Sequence, residues 1–590
     1  AMSKSSVISG NAIDMGLLRT VMKDDITLLL QEISGSKCIV LDMSLSKSIN
    51  LALEGASIFK ENNVVTFTKL TSDLLQTDAN AIIYICQAYE EAIHLVVESI
   101  QSLKKKSSAC TFHLWVVPSV TERLIHSLQE SGVYNDVDVR ALKLDTIPID
   151  TDLVSMELPD SFMDLIIRGS ESVLKPMAQT LLKLQVLFGP FPTVQCIGRN
   201  ARSLYTLTKS LSPSSFPLST LPSQFARCLL IDRSVDLCSP FVTPLTYTAL
   251  IHELLHLHCG QISLPGDKIG KKDPTPVTLQ MTINEPLFAQ LADANISLVP
   301  RSLKEKSMEI QALYNSRPRD SSCSISDLSQ FVKKVGTIQD LYDSLQVHLF
   351  VANQITTVTN STEFGMRWQR EREILEGELS ADSLREMLYE GGDMIDFLHY
   401  LIMFSQTNSG IKAKDFDSLR REFLLTYGFP RLPILLRLEE SGLIRRREGS
   451  NNYGTVRSRM RLIRNDIDGS NQADLNYVTS GYAPLAARIV QAATLNTAPM
   501  KEIAEVVGFE YAEVNQPVCK VPSKDVILVA FIGGLSYMEV AAMRLIEKQN
   551  PNVEFVFLTT HMMRGRKELK NLVELDRSEE RRVGKECRSR

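Results

Sequence analysis

At 590 residues with 44% hydrophobic content, the chain is long enough to bury several cores and to form about three or four domains. Its formal charge of -5 and pI near 6.1 provide no global positive field that would draw in nucleic acid or an anionic bilayer. The 10 cysteines are scattered with no Cys-x-x-Cys pair, which argues against a zinc ribbon or a disulfide framework and fits a reducing compartment.

In chain order, residues 1–16 lack the basic-then-apolar layout of a secretory signal. The longest apolar helix-like stretch, residues 81–97, is broken by Glu90 and Glu91. The expectation is a soluble protein whose membrane contact is indirect, through partners. Short β-branched or aromatic runs at residues 38–41, 81–86 and 112–117, spaced by helix-length amphipathic segments, predict a parallel α/β domain over residues 2–135. Residues 147–157 read Ile-Pro-Ile-Asp-Thr-Asp-Leu-Val-Ser-Met-Glu.

At residues 229–231 an apolar strand runs straight into Asp232-Arg233-Ser234-Val235-Asp236 and stops at Pro240, and a helix starts at Thr246-Tyr247. A guanidinium between carboxylates lowers their pKa values, which invites an acid–base reading. A fixed ion-pair network of Asp232, Arg233 and Asp236 fits better. In it the Arg233 fork pins loop carboxylates or carbonyls and sets the angle between the strand and the Tyr247 helix.

Inside that helix, His252-Glu253-Leu254-Leu255-His256 places two imidazoles at i and i+4, where they could hold zinc while Glu253 polarised water. A third ligand is lacking: His258 and Cys259 lie at the same helix end, and Glu285 stands in no ligand motif. Leu250, Ile251, Leu254 and Leu255 make a core stripe. A packing helix is therefore expected, with a zinc metallopeptidase using His252, Glu253 and His256 as the alternative. Gly266-Asp267-Lys268-Ile269-Gly270-Lys271-Lys272 has the wrong glycine spacing for a phosphate loop and reads as a flexible connection.

From about residue 246 to 471 helical patterns dominate. Val299, Leu303, Ile310 and Tyr314 share one face of a helix. Leu328, Phe331, Val335, Ile338, Tyr342, Leu345 and Leu349 recur at alternating three- and four-residue steps along the next. Together they predict a helical hairpin with a polar tip at residues 315–326. If the two seams pack on each other, recognition falls to the polar faces and the tip. Further on come Thr426-Tyr427-Gly428-Phe429, then Leu438-Glu439 and Ser441-Gly442-Leu443. A basic cluster follows: Arg445, Arg446, Arg447, Arg457, Arg459, Arg461 and Arg464. That cluster suits an acidic partner or phosphoinositide headgroups, or simply a solvated face.

Near the end stand Tyr477-Val478-Thr479-Ser480-Gly481-Tyr482-Ala483-Pro484-Leu485, a strand at 526–532, Phe531-Ile532-Gly533-Gly534-Leu535-Ser536-Tyr537-Met538-Glu539, and a strand at 555–558. Gly533-Gly534 falls short of a dinucleotide fingerprint and is expected to serve tight strand-to-helix turning. No Gly-x-Ser-x-Gly elbow occurs, so catalysis has no support. Residues 577–590 read like a translated sequencing adapter and are set aside.

These motifs carry a resemblance to the Sec/Munc-type SM family of SNARE-binding fusion proteins, and in detail to its vacuolar protein sorting-associated thirty-three branch. Asn451-Asn452-Tyr453 with Arg457 and Arg461-Leu462 resembles the branch member of the HOPS and CORVET tethering complexes. Glu157-Leu158-Pro159 and Gly189-Pro190-Phe191-Pro192 resemble its metazoan paralogue. Pro244 and Thr248 depart from the family pattern around Thr246-Tyr247.

The resemblance implies an arch of two parallel-sheet α/β domains and a large helical third domain. The first spans 2–135. The second is discontinuous, from 136–245 and 472–576. The third is formed by 246–375, with the projecting hairpin, and 376–471. Asp232, Arg233, Asp236, Tyr247, Gly481 and Pro484 become its structural signature. It implies no catalytic residue, no cofactor and no nucleic acid. The implied partners are syntaxin-type and vesicle SNAREs, with Asn315, Arg317, Arg319 and Asp320 at the hairpin tip as candidate contacts. A Vps-sixteen-type α-solenoid subunit of HOPS or CORVET, or its paralogue, would dock near Tyr427 and Phe429. The implied location is cytoplasmic, peripheral to late endosome and lysosome or vacuole membranes, with an SM protein of another trafficking step as the alternative.

Overall fold

The computed structural model describes residues 13–575 except 54, 56, 74, 76, 106–109, 213–220, 272, 316–324, 466–471, 519 and 521, and it leaves out the side chains of 314, 315 and 325–337. The proposed hairpin-tip contacts Arg317, Arg319 and Asp320, the side chain of Asn315, and the tail 577–590 lie outside the described residues.

Five strands form the first sheet: β1 (Lys37–Leu41), β2 (Val64–Lys69), β3 (Ala81–Gln87), β4 (Thr111–Val117) and β5 (Val137–Ala141), in the order β2-β1-β3-β4-β5. All pairings are parallel. The three central strands are near-continuous apolar runs because helices cover both faces. Ile39, Ile83 and Trp115 point into one core, and Val40, Tyr84 and Leu114 into the other. The first sheet extends past the boundary expected at residue 135 to Ala141. Asp138 and Arg140 make β5 half polar, and an edge strand needs only one buried face.

The second sheet is assembled from two distant stretches. The earlier stretch supplies β6 (Ile147–Pro148), β7 (Leu153–Ser155), β8 (Thr193–Ile197) and β9 (Arg227–Asp232). A hairpin of β10 (Gln261–Pro265) and β11 (Pro276–Gln280) follows, and the later stretch supplies β12 (Tyr511–Asn515), β13 (Asp525–Ile532) and β14 (Val553–Thr559). The order is β12-β8-β9-β13-β14-β7-β6. The five inner strands are parallel and the two edges antiparallel. β9 and β13 are direct neighbours, with Leu229 opposite Val529 and Asp232 opposite Ile532. All of β14 and nearly all of β13 are buried.

Between the two stretches the chain is mostly helical, although strands β10 and β11 form a hairpin on either side of the expected connection at residues 266–272, where few strands were expected. Helices Val299–Asn315 and Ile325–Thr359 pack against each other as an antiparallel pair. Val299, Leu303 and Ile310 are buried on the first. On the second, the buried stripe differs from the expected seam. It runs through half-buried Ile338 and Leu341 and buried Leu345, His348, Ala352 and Ile355, while Tyr342, 47% exposed, and Leu349 face outward; the side chains of Leu328, Phe331 and Val335 lie outside the described residues. The steps still alternate three and four. The stripe prefers His348 to Leu349 because the histidine is hydrogen-bonded on both ring nitrogens.

Candidate functional site

The turn after β9 is where the sequence concentrates charge. Arg233 is fully buried, and its Nη1 donates to Glu539 Oε1 at 2.8 Å and Oε2 at 3.1 Å, while its Nε donates to the Asp236 carbonyl at 2.9 Å. Its guanidinium also lies 3.6 Å from the Asp236 carboxylate. Glu539 closes a capping box with Ser536 at the start of helix Tyr537–Gln549. Burial pushes the Glu539 carboxyl up, against the pull of Arg233.

The expected three-residue network is therefore corrected in two respects. Asp232 takes no part: it accepts the Ser234 and Asn200 amides at 3.0 Å each and so caps two turns. The principal carboxylate is Glu539, and Arg233 ties the β9 turn to the Tyr537–Gln549 helix, where a role in setting the Tyr247 helix was expected. Gly533, at φ +100, packs a would-be Cβ 3.0 Å from Arg233 Cβ, so the glycine pair serves close approach.

Asp236 links this turn to the later signature. It accepts Ser239 N at 2.9 Å, Ser239 Oγ at 2.5 Å and Ala486 N at 2.9 Å, and Tyr482 OH lies 2.9 Å from Ser239 Oγ. Gly481 receives Asn476 Nδ2 on its carbonyl at 2.9 Å, and Pro484 precedes helix Leu485–Leu495. The acidic pair of residues 147–157 is used the same way. Asp150 and Asp152 accept Arg544 at 3.0 and 2.6 Å, and Arg544 also donates to Asp293 at 3.2 Å. These charged groups are spent on one another and on backbone amides and carbonyls.

Tyr247 is buried, donates its amide to the Ala294 carbonyl at 2.9 Å and places its hydroxyl 3.0 Å from His348 Nδ1. His348 Nε2 lies 3.3 Å from Glu285, which caps helix Pro286–Leu291. Burial alone would raise the Glu285 carboxyl, but hydrogen bonds from His348 and the Phe288 and Leu287 amides hold it down to about 2. This buried chain joins the signature helix to the stalk of the helical pair. Thr248, where the family pattern differs, makes its own bonds to the Ala292 carbonyl through N and Oγ1.

The zinc alternative at His252 and His256 does not hold. The helix ends at Leu255, and His256 is its left-handed cap at φ 55, so the two imidazoles do not share a helical face. Arg564 donates to the His252 carbonyl at 2.9 Å and lies 3.0 Å from His256 Nδ1, which occupies the lone pair a metal would need. His252 instead packs edge-on against Tyr537. Glu253 is pushed up to about 7 by burial. Among the described residues, one other group has metal-ligand geometry: Glu157, His258 and Cys259, whose ligand atoms lie within 4.8 Å of one another.

The basic cluster is largely spent on intramolecular partners. Arg446 pairs with Asp417 at 2.8 Å and lies over Phe416, Arg459 pairs with Glu502 at 3.1 Å, Arg464 with Asp474 at 3.1 Å, and Arg457 donates to the Glu376 carbonyl. Tyr427 and Phe429 behave differently from each other. Tyr427 donates to the Gly392 carbonyl at 2.8 Å and its ring lies 5.0 Å from that of Phe423. Phe429 is 70% exposed, on the turn Phe429–Arg431, and Leu425 on the preceding helix is 71% exposed. Of the site's features, Glu539 and His348 were missed in the sequence; the helix start Ser536-x-x-Glu539 was the available signal for the first.

The pattern of the Sec1 family matches residues 37–571. Vacuolar protein sorting-associated protein 33A of Rattus norvegicus is 29% identical over 96% of this chain and 99% of its own length. The Vacuolar protein-sorting-associated protein 33 homolog of Arabidopsis thaliana is 27% identical over 93% of this chain and 95% of its own. Among solved structures, the Unc18-syntaxin 1 complex from Monosiga brevicollis superposes with a TM-score of 0.59 at 18% identity, covering 95% of this chain and 99% of that one. With one parallel sheet followed by a second whose two stretches flank a helical insertion, and a match running from β1 into the last described helix, the chain belongs to the Sec1 family, whose members are SNARE chaperones and not enzymes.

Proposed function

We propose that this chain is an SM-type SNARE chaperone working as a subunit of an endolysosomal tethering complex, at the cytoplasmic side of late endosome and lysosome or vacuole membranes. In this reading the helical pair Val299–Asn315 and Ile325–Thr359 holds syntaxin-type and vesicle SNARE segments side by side, with the tip residues Asn315, Arg317, Arg319 and Asp320 as contacts. Ordering two mostly disordered segments on a rigid surface removes much of their encounter entropy, so zippering accelerates without bond chemistry. No helix among the described residues is long and apolar enough to cross a membrane, and membrane choice then comes from the complex.

The observation that carries the tethering half is the apolar surface around Phe429. Leu425, Phe429 and the 72% exposed Tyr389 sit on elements that pack against one another, and large side chains left bare in this way suit a partner interface. A Vps-sixteen-type α-solenoid subunit, or its paralogue, is the proposed occupant, with Tyr427 holding the turn and Phe429 making contact.

The test is co-purification of tagged chain and solenoid subunit from cells, with Phe429→Asp as the variant and SNARE capture measured alongside. We expect solenoid recovery to fall at least about tenfold while SNARE capture persists. Full solenoid recovery by the folded variant would remove the proposed interface.

A further inference from the structure

Three side chains that the family reading leaves unused converge where the two sheets' connections meet. Glu157 follows β7, at the end of the second sheet, with its neighbours Met156 and Leu158 bonded to Thr559 and Thr560. His258 and Cys259 lie in the tight turn that leads into β10, closed by reciprocal bonds between His258 and Gln261 at 2.9 and 3.1 Å. Glu157 Oε2 is 3.1 Å from His258 Nε2, and Cys259 Sγ is 3.5 and 3.9 Å from the two His258 ring nitrogens. Ser48, from the helix Ser46–Leu53 of the first sheet, brings its Oγ to 3.3 Å from Cys259 Sγ.

We propose that Glu157, His258 and Cys259 form a zinc site that fastens the β7 end to the β10 turn beneath the first sheet. Zinc bonds of about 2.0–2.3 Å in a tetrahedron put neighbouring ligand atoms about 3.3–3.7 Å apart, and with His258 Nε2 as the shared ligand the separations of 3.1 Å to Glu157 and 3.9 Å to Cys259 lie on either side of that range, so small side-chain shifts close the site. The ligand types are right for a borderline-soft cation: one carboxylate, one imidazole and one thiol. Their charges also fit. On binding, the Cys259 thiol gives its proton to solvent, so thiolate and carboxylate together neutralise the divalent ion. Ser48 Oγ is placed to donate to that thiolate, the kind of outer contact that orients a ligand.

Two further features favour a built site over a chance meeting. Glu157 and Cys259 both hold left-handed backbone, at φ 51 and 50, a conformation that non-glycine residues seldom adopt without a reason in the surroundings. Glu157 and Cys259 are shielded while His258 is 46% exposed on its side chain, so solvent reaches the group on the His258 side. The site is separate from the His252 and His256 pair, whose lone pair at His256 is engaged by Arg564.

The full chain, reduced and stripped of metal, is titrated with cobalt and then with zinc against a chromogenic chelator. The expected result is stoichiometric binding with a near-ultraviolet thiolate-to-cobalt charge-transfer band, and a zinc-dependent rise in the thermal midpoint. Cys259→Ser should abolish the band, and Cys259→Ser and His258→Gln should each weaken zinc binding at least about tenfold. His256→Gln and Cys110→Ser should leave it unchanged. If Cys259→Ser does not fold, Glu157→Gln and His258→Gln carry the comparison. Absence of the cobalt–thiolate band in the wild-type chain, or zinc affinity unaltered in the folded His258→Gln and Glu157→Gln variants, would overturn the site.

Discussion

Arg233 shows what a single buried charge asks of its surroundings. A guanidinium with no solvent contact survives because Glu539 and the Asp236 carbonyl replace the water it lost, and removing one partner of such a pair leaves the other charge uncompensated. Glu539→Gln keeps the shape but removes the charge, so it should destabilise the protein by about 3 kcal/mol, measured as a lowered midpoint in urea denaturation. A cost under about 0.5 kcal/mol would mean that Asp236 alone balances Arg233. The arginine was legible in the sequence as a structural residue, but its partner was not. The two are 306 positions apart, and no local pattern announces a contact at that range. The same distance problem separated Glu157 from His258 and Cys259, each of which reads alone as an ordinary polar or small residue.

At the scale of elements, the strands that were readable are long apolar runs buried on both faces, whereas the buried β7 and β8, short and interrupted by Ser155, Thr193 and Gln195, were not located. The strands within β1, β3, β4, β9, β13 and β14 are buried on both sides, so their sequences are apolar runs and they were located within a residue or two. The edge strands β2, β5 and β12 alternate or carry charge, and nothing in them outweighs a loop reading. The Ile325–Thr359 helix was readable as a helix but its seam was misread at two positions, where Tyr342 was preferred to Leu341 and Leu349 to His348, a histidine that the fold supplies with partners. Leu345→Ala should therefore cost about 2–5 kcal/mol, whereas Tyr342→Ala should change the denaturation midpoint by no more than about 0.5 kcal/mol. Equal costs would restore the seam as first expected. The left-handed cap at His256 is a further case: helix geometry predicted a shared face for two histidines, and the last residue turned out of it.

For the whole molecule, the family's discontinuous second domain was legible only through the resemblance, since composition gives no sign that β9 and β13 are neighbours. Their pairing has a mechanical corollary. A protease site inserted between the exposed Gly449 and Ser450 divides the chain into halves that each donate strands to one sheet. After cleavage the halves should co-elute in gel filtration under native conditions and separate only in denaturant. Separation in native buffer would show that the helical insertion, and not the shared sheet, holds the molecule together.

The same sheet imposes an order on synthesis. Arg227 and Asp525, bonded at the ends of β9 and β13, are 298 positions apart. At about 5–20 residues per second a ribosome takes about 15–60 s to cover that span. Throughout that interval β9 waits with one apolar edge open. The nascent chain is thus exposed to misassociation until its last strands emerge, and a premature stop before β13 leaves β9 and β7 without their central neighbours β13 and β14. Early termination should yield no partially working protein, only a chain for the quality-control machinery to clear.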